Sequence, residues 1–226
     1  MAQFFEKVNE YLIANGAFRT ILSGLWTTVR ISVLAVILGT LLGAVLCLIR
    51  IKGPPLVKGA VRLWVSILRG TPVSLLLLMM YFVVFAKTPL SAEAVAVITY
   101  ALNMSAHATE LMTAAFSSVP EGQIEAARTL GFTGFGAFWH VMLPQAWNMG
   151  KTIYQSLVIS IIQWTSVVSF ITITDLTRVI NIFSARTMQP VFMISFGLLL
   201  YLAVSYLVNA LFTIRRRRRK CSGSKD

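Results

Sequence analysis

Polar side chains that could do chemistry occur at only a few places in this chain, each set in apolar sequence. Arg69-Gly70-Thr71-Pro72 puts a guanidinium beside helix-breaking residues inside a long hydrophobic stretch. Such a break is tolerated in lipid only where protein or a water-filled cavity satisfies the freed backbone. Arg69 therefore either clamps the carbonyls that Gly70 and Pro72 release or faces a solute, and the supply of carbonyls favours the clamp. Glu110 lies deep in the next apolar stretch. It can pair with Arg69, meet a cationic solute, or take up a proton through burial. His107 stands three residues before it, on a neighbouring face, and a lone histidine in a helix is more often hydrogen-bonded structure than a ligand. Further on, Gln163-Trp164-Thr165-Ser166 offers a neutral amide donor and acceptor and an indole face suited to an ammonium or guanidinium. Asp175 and Arg178 open a short amphipathic segment that Thr174 or Asp175 would cap.

These groups suit binding rather than bond breaking. No Ser/His/Asp arrangement, paired carboxylates or metal-ligand spacing accompanies them. Two histidines, His107 and His140, and two cysteines, Cys47 and Cys221, form no Cys/His cluster. Polar groups at membrane depth are costly, which makes them functional candidates by default.

The elements that position them are membrane helices. The chain has 226 residues, 57% of them hydrophobic and 12% charged, with a mean hydropathy of +0.76. Soluble domains carry about 25% charged residues. A helix needs roughly 20 apolar residues to cross the hydrocarbon core, and five stretches qualify: about 20–49, 56–86, 91–117, 146–173 and 188–213. Lys87 and Pro89 mark a short turn between the second and third. Gly39 and Gly43 in the first have the GxxxG spacing that permits close helix packing, a weak signal by itself.

The net charge of +12 is uneven. Arg50, Lys52, Lys58 and Arg62 surround the first loop, and Arg215 to Lys220 follow the last span; the positive-inside rule puts both in the cytoplasm. Five spans then leave the N-terminus outside and the C-terminus inside, with the loop 118–144 cytoplasmic. Residues 1–18 read as an interfacial helix with Phe4, Phe5, Val8, Tyr11 and Leu12 on one face; Glu6, Lys7, Asn9 and Glu10 make them too polar for a cleavable leader. Residues 19–214 form the transmembrane domain and 215–226 a basic tail. The tail reads as an anchor drawn to anionic lipid at about 1 kcal/mol per residue. A regulatory contact is the alternative, and nucleic-acid binding is disfavoured by the polytopic neighbour.

The loop 118–144 is unusually well specified. Ser118 and Glu121 have capping-box spacing and Pro120 suits a first helical turn, while Gly131 sits where a glycine would end the helix. A helix is therefore expected over 120–130, with Ala126 and Ala127 giving it a low profile. A second short helix leads to Leu143-Pro144, where proline opens the next span.

Glu125-Ala126-Ala127, three residues, Gly131, nine residues, then Val141-Met142-Leu143-Pro144 resembles the EAA loop of bacterial ABC importer permeases. With Ser118–Gln123 and the Arg69–Pro72 motif, the chain resembles the polar amino-acid uptake family, which imports histidine, arginine, glutamine, glutamate and opines. The resemblance covers about residues 18–214. It implies an all-α type I permease in the bacterial inner membrane, with five transmembrane helices and a cytoplasmic coupling helix. It also implies three partners: a cytoplasmic ATPase dimer, a second permease subunit, identical or different, and a periplasmic binding protein. ATP and Mg belong to the ATPase, and this chain has no GxxxxGK[ST] of its own and binds no cofactor. Glu125, Ala126, Ala127, Gly131, Leu143 and Pro144 are implied in coupling, Arg69, Glu110 and Gln163–Ser166 in the substrate pathway, and Asp175 with Arg178 in the outer gate. Relatives have Lys-Asp-Thr-Ser where this chain has Gln163-Trp164-Thr165-Ser166, and Arg where it has Thr113. This subunit is then a neutral variant of the substrate site, the non-binding half of a heterodimer, or a permease for a substrate outside the family's usual range. A stand-alone secondary transporter or channel for small polar solutes is the competing class; it would need coupling carboxylates, and Glu110 with Asp175 is a thin supply.

Overall fold

The computed structural model describes residues 17–222, with side chains as far as residue 213. The helix expected at 1–18 lies outside the described residues except for its end, and so do the side chains of the basic run. Among the described residues every regular element is helical: α1 (Ala17–Lys52), α2 (Pro55–Gly70), α3 (Val73–Met79), α4 (Ala92–Ser117), α5 (Glu121–Thr129), α6 (Gly134–Ala137), α7 (Leu143–Trp164), α8 (Leu176–Thr187) and α9 (Pro190–Ser222). Wide π-helical turns follow α3 and join α6 to α7, and a 3₁₀ run over Thr165–Ile171 extends α7.

Among the described residues, three helices are long and apolar enough to cross a membrane: Ala17–Lys52, the continuous stretch Gly134–Ile171, and Pro190–Thr213. A fourth span arises if α2 and α3, bent by 104° at Gly70-Thr71-Pro72, are taken as one broken crossing. The bend falls where the Gly/Pro pair removes helical constraint and a backbone donor. α4, at 26 residues, has the length to cross but not the apolar composition. Its polar side chains Thr99, Asn103, Ser105 and Thr109 are buried in protein, so they need no lipid-compatible surface.

The chain divides into two compact units. The first comprises residues up to Leu34, Ser74–Val97 and everything from Ile159. Its core joins Ala17 and Ile21 of α1 to Leu176, Val179, Ile180 and Phe183 of α8 and Phe192 and Met193 of α9. Gly24 lets α1 touch the turn before α8, since a Cβ there would lie 2.9 Å from the Asp175 carbonyl oxygen.

The second unit comprises Ala35–Val73 and Ile98–Val158. Here the GxxxG spacing does what it permits. A Cβ on Gly39 would lie 2.6 Å from the Met104 Cβ, and one on Gly43 2.7 Å from the Ala108 Cβ. Thr109 Oγ1 donates to the Gly43 carbonyl at 3.2 Å across this seam. Elsewhere in the unit the Thr40 and Tyr154 hydroxyls are 2.8 Å apart, tying α1 to α7.

Pro144 corrects one expectation. It does not open a new span, because the helix continues from Gly134 through Ile171. The π turn Phe138–Met142 lies directly before it. A proline within a helix lacks an N–H and clashes with the carbonyl four residues back, and widening of the preceding turn relieves both.

Candidate functional site

Glu110 sits at the centre of an ionic cluster in the second unit. It forms a short ion pair with Arg50 Nη1 and a second contact with Arg50 Nη2 at 3.3 Å. Arg69 Nη1 is 3.8 Å away on the same carboxylate. Arg50 is the more enclosed cation, 18% exposed against 44% for Arg69. The clamp expected of Arg69 is provided by other residues. Thr71 Oγ1 donates to the Ile67 carbonyl at 2.8 Å, and Asn103 Nδ2 to the Leu68 carbonyl at 3.3 Å. With these carbonyls partnered, Arg69 turns to Glu110. Asn103 Oδ1 is buried with no protein partner. His107 is half-buried on α4 between Asn103 and Glu110, which stand four residues before and three after it and are its neighbours on the helix surface.

The remaining expected pathway and gate residues belong to the first unit. α7 ends at Trp164, and the 3₁₀ run begins at Thr165, so Gln163–Ser166 straddle a change of helix type. Mid-helix 3₁₀ segments often mark hinges. Gln163 is exposed, while Thr165 is buried and donates to the Ile162 carbonyl at 2.6 Å. The run ends at Thr172, whose φ of 69° is left-handed, a conformation costly for a β-branched residue. Asp175 caps α8, accepting from the Thr177 and Arg178 backbone N–H groups at 3.1 and 3.0 Å. Burial pushes its carboxyl above the usual range, against the opposing effect of those two donors. Arg178 reaches back to the Ser169 carbonyl at 3.3 Å, so these two residues tie the segment's backbone together. Thr28 Oγ1 accepts from the Leu176 N–H at 3.3 Å, and the Thr177 and Tyr201 hydroxyls are 2.9 Å apart.

The 118–144 segment folds as two short helices. α5 covers Glu121–Thr129, with Gly131 at φ 88° just beyond it. Gly131 N–H donates to the Arg128 carbonyl at 3.0 Å and Phe132 N–H to that of Ala127 at 3.1 Å. This is the Schellman pairing that a left-handed glycine allows. The capping box does not form: Ser118 donates instead to the Ala115 carbonyl at 2.7 Å, closing α4. The next helix start is capped by Thr133, which accepts from Gly136 N–H at 3.1 Å. Ala127 is buried while Glu125 and Ala126 are exposed, so only part of the low-profile face is open. Leu143 is half-buried and Pro144 exposed. Leu130 at 80% and Phe135 at 76% exposure stand out from the loop, and Phe135 stacks on Trp139.

Residues 35–220 match the family described as binding-protein-dependent transport system inner membrane component. The chain belongs to that family. Among curated relatives, it is 29% identical to the histidine/lysine/arginine/ornithine transport system permease protein of Salmonella typhimurium over 210 residues, 87% of this chain and 88% of the relative. It is 31% identical to the L-cystine transport system permease protein of Bacillus subtilis over 209 residues, 89% and 88% of the two chains. Among solved structures, an amino acid ABC transporter crystallised with histidines matches with a TM-score of 0.80 and 28% identity over 92% of this chain and 98% of that one. An inward-facing methionine ABC transporter matches at 0.73 with 19% identity over 88% and 95%, which bears on the fold alone. The protein is thus an ABC importer permease, a multi-pass membrane subunit of the polar amino-acid group.

Two charged partners of this permease are not evident from the sequence. Arg50 reads there as part of the positive loop flank, although it is the principal partner of Glu110. Arg30, within the first apolar stretch, pairs with Glu93 at the start of α4. A charge inside each apolar run is the available signal for the second pair. For the first pair there is none beyond opposite sign, since the residues are 60 positions apart.

Proposed function

We propose that this permease carries polar amino acids inward across the bacterial inner membrane, driven by ATP hydrolysed on partner subunits. The observation that carries the reading is the 118–144 segment: a capped two-helix loop with exposed Glu125, Ala126 and Leu130, at the positions that resemble the coupling loop. A permease without a nucleotide site needs such a surface to receive work from a cytoplasmic ATPase dimer.

The proposed topology has five crossings: α1, the bent pair α2–α3, α4, α7 and α9. The N-terminus lies outside and the C-terminus inside. On α1, Arg30 and Arg50 are 20 residues apart, about 30 Å along a helix, close to the thickness of the hydrocarbon core. That spacing suits two arginines at opposite membrane borders. A periplasmic binding protein delivers the solute to the outer face, and a second permease subunit completes the pathway. Arg69, Glu110 and Gln163–Ser166 line that pathway in this reading, with Asp175 and Arg178 in the outer gate. A carrier working alone would need coupling carboxylates, but Glu110 is engaged by two arginines and Asp175 by a helix cap.

The test is Glu125→Lys in the assembled transporter reconstituted with its ATPase and binding protein. Hydrolysis is expected to continue without uptake of labelled amino acid. Uptake at the wild-type rate would sink the coupling role, and uptake that persists without the ATPase would favour a secondary transporter.

A further inference from the structure

We propose that this subunit recognises its cargo through a carboxylate held by Arg69, and so favours acidic or neutral zwitterionic amino acids over cationic ones. The inference rests on the amino-acid reading above and narrows it. It comes from where each acidic side chain is used. The described carboxylates are Glu93, Glu110, Glu121, Glu125 and Asp175. Glu121 and Glu125 lie on α5 in the coupling segment. Glu93 is paired with Arg30. Asp175 is fully buried as a helix cap. Glu110 is shared between Arg50 and Arg69.

The Glu110 cluster therefore carries two guanidinium groups and one carboxylate. Arg50 takes the carboxylate closely and with both terminal nitrogens, while Arg69 touches it once at 3.8 Å and is the more exposed. A guanidinium presents five N–H donors in a planar fork. That fork suits bidentate capture of a carboxylate. Arg69 also lies at the end of α2, where the span bends by 104°, and a broken span is where membrane proteins expose backbone and side chains to a cavity.

A cationic side chain entering here would meet surplus positive charge. Taking an ammonium or guanidinium out of water without a counter-charge is heavily penalised. The acceptor this unit leaves over is neutral, the orphaned Oδ1 of Asn103, which suits an α-ammonium but does not balance a second positive charge. The Salmonella relative is named for histidine, lysine, arginine and ornithine and the Bacillus relative for cystine; the charge inventory favours cargo resembling the second over lysine, arginine or ornithine.

The test uses the purified permease–ATPase complex in nanodiscs without the binding protein, so that only the membrane site is read. Equilibrium dialysis with labelled L-glutamate, L-glutamine, L-arginine and L-lysine should give at least tenfold tighter binding for glutamate or glutamine than for either cation. Arg69→Gln should weaken the preferred ligand at least tenfold, and Arg69→Lys should recover part of it. Tightest binding of arginine or lysine overturns the inference while leaving the amino-acid reading intact. Unaltered binding of the preferred ligand by a folded Arg69→Gln complex also overturns it. If none of the four binds to the wild-type complex, the amino-acid reading falls and takes this inference with it.

Discussion

Gly39→Ala tests how tight the α1–α4 seam is. The added Cβ would lie 2.6 Å from the Met104 Cβ and 2.7 Å from the Ala101 carbonyl oxygen. Neither atom is the far end of a flexible side chain, so the helices must separate. Overpacking of this kind costs about 1–3 kcal/mol. Alanine also improves helix propensity over glycine by about 1 kcal/mol, which would mask part of the loss. Gly59→Ala supplies the correction. Gly59 lies inside α2, and a Cβ added there would meet nothing within 4 Å, so it gains the same propensity without the clash. The difference between the two variants is then the overpacking cost alone. At roughly 2–4 °C per kcal/mol for a chain of this size, Gly39→Ala should melt about 2–12 °C below Gly59→Ala. The assay is the thermal midpoint of the detergent-solubilised protein followed by size-exclusion chromatography. Equal midpoints would refute the close approach and leave Gly39-x-x-x-Gly43 as a coincidence of spacing.

Two further substitutions probe the turn chemistry. Gly131→Ala places a Cβ at φ 88° in open space, so its cost is conformational, about 1–2 kcal/mol. Faster hydrogen exchange at the Gly131 and Phe132 amides is expected, with a smaller effect for Gly131→Asn; unchanged exchange would count against the Schellman pairing. Asp175 gives a pH prediction. Its carboxyl is raised by burial, so the fold binds that proton more tightly than the unfolded chain does. The resulting stability is present below the ordinary carboxylate range and is lost as pH rises through the raised value. Asp175→Asn keeps a cap acceptor and should flatten thermal midpoint against pH across that window; a wild-type slope in the variant would show that another group titrates there.

What is legible in the sequence depends on how locally each feature is determined. Gly131 is readable because a helix end needs a left-handed residue and few side chains accept that conformation. The Gly39/Gly43 spacing is readable as a permission, while the partner helix is not. Ser118 misleads because its hydroxyl has two nearby uses, and closing α4 at Ala115 prevails over capping α5. Pro144 misleads because a proline suggests a boundary, whereas a π turn absorbs it within one continuous helix. The ion pairs Arg50–Glu110 and Arg30–Glu93 join residues 60 and 63 positions apart. Only packing of whole helices brings such residues together.

The polarity of α4 has the same origin. In the second unit, its Asn103 meets the Leu68 carbonyl, Thr109 the Gly43 carbonyl, Thr113 the Cys47 sulfur, and Glu110 the Arg50 guanidinium. Each partner lies on α1 or α2, so apart from the orphaned Asn103 Oδ1 these groups are met within the protein, and α4 need not be apolar along its length. α4 therefore has the length to cross without an apolar composition. The same arrangement bears on recognition. In the recognition proposed above, Glu110 already spends its charge on Arg50. Arg69 touches the same carboxylate once, at 3.8 Å, and is the more exposed of its two arginine partners.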